Sequence, residues 1–125
     1  MDSLPAPFTI EIDGTPITKV SADANDKTHA QVGSEPAVFE LKDKRLQCDG
    51  HFLARTIVED RSFLPKRVWW FKPDTDIPTH DVVATKDGDS YQLKFSNAGL
   101  MTRDGGVFAD LMGDNPSKVV VKMQS

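Results

Sequence analysis

The sequence predicts an all-β fold built by internal duplication. Three observations carry this. Apolar residues alternate in runs of strand length, Asp-Gly pairs punctuate them, and one order of these signals occurs twice. The copies begin Phe39-Glu40-Leu41-Lys42 and Tyr91-Gln92-Leu93-Lys94. Each continues to a leucine (Leu46, Leu100), an Asp-Gly pair (Asp49-Gly50, Asp104-Gly105) and a short apolar stretch (Phe52-Leu53, Val107-Phe108). Each closes on a proline, a basic residue and an apolar run, Pro65-Lys66-Arg67-Val68-Trp69-Trp70-Phe71 and Pro116-Ser117-Lys118-Val119-Val120-Val121.

In chain order, residues 1–7 read as an extended leader, with Pro5 and Pro7 excluding a helix. Phe8 to Ile12 alternates apolar and polar and forms a half-buried strand; Asp13-Gly14 turns it, and Ile17 to Val20 returns. This pair reads as a degenerate third copy. Residues 21–36 are polar and form a long loop. The first full copy spans about residues 36–71, with a charged loop leaving the Phe52-Leu53-Ala54 strand. Residues 72–79, with Pro73 and Pro78, cannot be a central strand. Asp81 to Ala84 is a strand, Lys86-Asp87-Gly88-Asp89 is a hairpin turn, and the second copy spans about residues 91–123. The predicted core is Phe39, Leu41, Leu46, Leu53 and Trp70 with their counterparts Tyr91, Leu93, Leu100, Phe108 and Val121, joined by Val120.

Short strands in repeated units favour a closed sheet, because closure removes exposed edges. The expected form is a closed β-barrel of β-trefoil type within a single domain, residues 1–125. The alternative is a two-sheet antiparallel β-sandwich. It gains from unequal spacing, 31 residues from Phe8 to Phe39 against 52 from Phe39 to Tyr91.

Bulk properties exclude several function classes. A net charge of -4 argues against nucleic acid, whose phosphates call for clustered Lys and Arg. No apolar run is long enough to cross a membrane as a helix. One cysteine, Cys48, allows no internal disulfide. The first residues have no signal-peptide pattern, which reads as cytoplasmic. A secreted or cell-surface protein whose signal peptide had been removed would begin the same way.

Chemistry-bearing residues are sparse. Cys48 and His51 flank the Asp49-Gly50 turn, while His29 and His80 stand alone. A structural zinc site needs four ligands, usually in two close pairs, so no metal and no cofactor is expected. Cys48 reads as a buried small thiol and His51 as a surface histidine. Acidic pairs such as Glu59-Asp60, Asp74 and Asp76, and Asp87 and Asp89 read as solvated turns, and no nucleophile elbow or phosphate loop occurs. No catalytic residue is assigned.

The aromatic run is the notable surface candidate. In a strand, Val68 and Trp70 point to one face and Trp69 and Phe71 to the other. With Trp70 in the core, Trp69 and Phe71 are surplus to it unless a loop covers them. Flanking basic residues give the composition of an interface hot spot. The expected binding surface is Arg61, Phe63, Arg67, Trp69 and Phe71.

The stretch from Leu41 to Arg55 resembles β-trefoil units, in which a leucine precedes a turn and an apolar strand follows. Together with Glu59 to Phe71 it also looks like small, little-characterised β-rich proteins of filamentous fungi, many of them secreted. The Gln-x-Trp signature of ricin-type lectin units is absent. The resemblance implies a binding or cell-surface protein rather than an enzyme.

The reading is therefore a non-enzymatic binding protein, secreted or cell-wall associated, with a glycan or protein partner and a lectin-like role. One alternative is a protease inhibitor presenting a projecting loop such as residues 59–65. Another is a small lyase or hydrolase with carboxylates and histidines in a cleft.

Overall fold

The computed structural model describes residues 1–59, 64–111, 113 and 117–124. Among these the secondary structure is strand and turn, without helix. The first strands are β1 (Phe8–Ile12), β2 (Thr15–Pro16) and β3 (Thr28–His29). A meander follows: β4 (Glu40–Lys42), β5 (Arg45–Cys48) and β6 (His51–Ala54). Then come β7 (Lys66–Arg67), β8 (Trp69–Phe71), β9 (Val82–Asp87) and β10 (Ser90–Phe95). The chain ends with β11 (Gly99–Arg103), β12 (Gly106–Asp110) and β13 (Val119–Met123).

Turn chemistry explains the hairpins. Asp13-Gly14, Asp49-Gly50 and Asp104-Gly105 each hold two successive positive-φ residues, as a tight two-residue hairpin turn between twisted strands demands. Asp43-Lys44 and Ser96-Asn97 adopt the same left-handed pair without glycine. Those two turns follow β4 and β10, the strands that open the two sequence copies.

The strands fall into four sheets, ordered β13-β1-β2, β10-β9, β11-β12-β7 and β3-β8-β6-β5-β4. None of them closes on itself, which corrects the expected closed barrel of trefoil type. The arrangement fits the sandwich-like alternative, with several sheets packed on a shared interior. The physical reason is that neighbouring sheets meet without continuous ladders. Past Pro16 the Ile17 N–H still bonds the Ile10 carbonyl at 2.8 Å, but beyond it the chain pairs only through the isolated bridges Ile17↔Val32 and Thr18↔Pro36. Further bridges, Phe8↔Phe39 and Gln31↔Gly106, join sheets at single residues instead of extending a ladder.

The interior is one large apolar cluster with a satellite. Phe8, Phe39 and Trp70 stack in series, with Trp70 nearly parallel to Phe39 at 6° and 5.5 Å. Leu41, Leu46, Leu53, Leu93, Leu100 and Val121 are buried as expected. Tyr91, Phe108 and Val120 are only half-buried. In β12 the buried residues are Val107 and Ala109, so the core face is displaced by one residue from the expected parity and Phe108 looks outward. The satellite holds Phe52, Ala54 and Phe71, with Ile77 of the proline-rich loop packed against it.

Candidate functional site

The run from Lys66 to Phe71 is where the site begins. Val68 and Trp70 enter the main core, as alternation requires. On the opposite face Phe71 stacks on its cross-strand partner Phe52, at 5.5 Å between rings, and is fully buried. This corrects the placement of Phe71 on a binding surface: the loop carrying Ile77 closes over it. Trp69 lies on the same face but is only half-buried. Its partners in register are Ala54, whose small side chain leaves the indole room, and His29.

Trp69 stands in a groove of about 390 Å³ lined by Lys27, Val58, Leu64, Lys66, Arg67 and Phe108, among others. The Lys27 ammonium lies 4.9 Å from the indole centroid and the Arg67 guanidinium 6.0 Å, both within cation–π range. His29 packs against two of the groove's aromatic lining residues. Its ring packs edge-on to Phe108 at 5.1 Å and against Trp69 at 5.6 Å, with Nε2 3.0 Å from the Val107 carbonyl. Gly106 makes this possible, since a Cβ there would lie 2.6 Å from the His29 ring. Lys27 is positioned by its neighbour Asp26, whose carboxylate accepts hydrogen bonds from the Thr75 hydroxyl (2.6 Å) and the Lys72 N–H (3.0 Å).

The loop after β6 forms the other wall. At its base Arg55 is buried, with Nη1 donating to the Phe95 carbonyl at 2.8 Å. Nη2 and Nε of the same guanidinium donate to the two Glu59 carboxylate oxygens, at 2.6 and 3.3 Å. Backbone bonds from Ile57 N–H to the Pro78 carbonyl and from His80 N–H to the Arg55 carbonyl complete the clamp. Beyond it, Ile57, Val58 and Leu64 are exposed, Val58 by 81% and Leu64 by 66%. Exposed apolar side chains on both sides of residues 60–63 are the kind of patch that marks a contact surface.

Of the sequence-predicted residues, the structure brings Arg67 and Trp69 together at this groove. Arg61 and Phe63 lie outside the described residues. The sequence reading gave no role to Lys27 or Arg55, while Val58 opens the loop it read as a binding element. Val58 and Leu64 bracket a charged run, a signal that was available. Lys27 is tied to the site only by Trp69, and Arg55 to the strand end only by the Phe95 carbonyl, contacts about 40 residues apart along the chain; the Arg55–Glu59 pair is local.

Cys48 and His51 sit directly opposite one another across β5 and β6, and both are buried, so His51 is not the surface histidine expected. Its Nδ1 has no hydrogen-bond partner, and its Nε2 lies 3.5 Å from the Ala24 carbonyl. Burial, with Asp49 adding repulsion, pushes the Cys48 thiol up to about 11. Roughly one thiol in a thousand is then ionised near pH 8, and the thiolate is the reactive form. Cys48 should accordingly resist iodoacetamide in the native state at pH 8 and react at once in urea, as mass spectrometry would show. Rapid native labelling would contradict the buried placement. Among the described residues, no group of three His, Cys, Asp or Glu side chains lies close enough to hold a metal ion.

Comparison with curated proteins and with solved structures returns no match. The sequence profile described as peptidase inhibitor I66 matches residues 35–124, well over half of the chain. That match takes in both limbs of the clamped loop and, apart from Lys27 and His29, the groove residues described above. The chain belongs to the peptidase inhibitor I66 family.

Proposed function

We propose that the protein inhibits a peptidase by presenting the loop between Thr56 and Pro65 to the enzyme. The family match makes the partner a protein and the chain a non-enzymatic one. It overturns the lectin-like reading, and the glycan partner and the lyase or hydrolase alternative are set aside with it. The observation that carries the loop assignment is Val58 and Leu64, exposed on limbs whose base is locked by buried Arg55. An inhibitor gains affinity when its contact loop is held in its bound shape beforehand, since little ordering entropy is lost on docking. Arg61 and Phe63 lie between those limbs in the sequence and belong to the same reading. A secreted or cell-wall location also belongs to it, since an inhibitor of external peptidases meets its targets there.

The test is inhibition of a panel of serine, cysteine and aspartic peptidases by the wild type and by Val58→Asp/Leu64→Asp. The variant is expected to lose at least about 30-fold in inhibition constant, near the 2 kcal/mol of a hot spot, with an unchanged melting temperature. Inhibition that survives the double substitution assigns the contact to another loop.

A further inference from the structure

We infer that the groove beside this loop receives an acidic, extended segment of the target peptidase, one carrying carboxylate side chains next to an aromatic or aliphatic residue. This rests on the peptidase-inhibitor reading and specifies the partner. The chain as a whole is negative, at -4. The groove is locally the reverse. Among the described residues, Lys27, Lys66 and Arg67 line it, and Glu59 is its acidic lining residue. Glu59 is neutralised by the Arg55 guanidinium at 2.6 Å. Lys27 and Arg67 are both exposed, and among the described residues neither enters an ion pair. Their charges converge instead on the rim and face of one indole. Half-buried Trp69 and Phe108 supply an apolar floor. Two exposed cations over an apolar floor complement a side chain sequence that alternates carboxylate and apolar groups. The same field would also steer encounter with an acidic enzyme surface.

The probe is a capped tetrapeptide, Asp-Phe-Asp-Leu, compared with its uncharged counterpart Asn-Phe-Asn-Leu. Binding is read from the indole N–H resonances, with peptide up to about 5 mM to reach the weak range expected of short ligands. Trp70 is fully buried and serves as the internal control for Trp69. The acidic peptide is expected to shift the Trp69 signal saturably and at least tenfold more tightly than the neutral one. Lys27→Glu/Arg67→Glu should abolish the shift, and raising salt from about 50 to 300 mM should weaken it. Equal binding of the two peptides, or no Trp69 shift at the highest concentration, overturns the inference. The arms separate the two readings. Peptide binding with a Val58→Asp/Leu64→Asp variant that inhibits normally removes the loop and leaves the groove. A silent groove with a crippled loop variant does the reverse.

Discussion

Replacing Trp70 by alanine is expected to cost about 3–5 kcal/mol of folding stability, the usual range for a large aromatic deleted from a core. Trp70 is 1% exposed, lies flat on Phe39, and pairs in register with Leu53 on one side and Thr28 on the other. It therefore joins β8 to both of its neighbours in the five-stranded sheet. Its loss leaves one face of the Phe39 ring without its stacking partner. Domains of this size are stable by about 5–15 kcal/mol, so the variant should lie near the threshold of unfolding at room temperature. Urea denaturation followed by circular dichroism measures the loss. Trp69→Ala, one residue away, should cost far less, because that indole is half-exposed. Equal costs at the two positions would mean that the strand faces are reversed.

Arg55→Met should cost about 3–5 kcal/mol and weaken inhibition together with stability. Removing one partner of a buried ion pair strands the other. Here it also leaves the Phe95 carbonyl without the donor it faces at 2.8 Å. Glu59, whose side chain is only 14% exposed, would keep its charge without a counterion, and the loop base would loosen. Arg55→Met/Glu59→Leu is expected to recover part of the stability, because the stranded charge is gone, yet to recover little inhibition, because the clamp is gone as well. A double-mutant cycle with both melting and inhibition readouts checks this. A single Arg55 variant that loses less than about 1 kcal/mol would show the guanidinium to be solvated rather than buried.

The sequence by itself determined the all-β class, most hairpin turns and the leucine core. Those features are local. An Asp-Gly pair tolerates positive φ wherever it stands, and period-two alternation is a property of neighbouring residues. Leu41, Leu46 and Leu53 lie directly opposite one another across β4, β5 and β6 because two tight turns, Asp43-Lys44 and Asp49-Gly50, set the register between them. The burial of Cys48 was legible for a similar reason, since a small thiol in an alternating strand fits the core face.

Only the tertiary structure decided which of two alternating faces meets solvent. Alternation places Trp69 and Phe71 on one side but is silent about what covers that side. A loop beyond β8 puts Ile77 over Phe71 and leaves Trp69 half open, so one residue became core and the other a groove wall. Parity in β12 went the same way: Val107 and Ala109 turned inward once Phe108 found His29 across the interface. Sheet closure was undecided by the repeat too. It depends on whether neighbouring sheets join by full ladders, and here they meet at single-residue bridges. The bond from Arg55 to the Phe95 carbonyl and the approach of Lys27 to Trp69 join residues about 40 positions apart. Contacts at that separation are set by the packing of sheets on a common core, which no local pattern encodes.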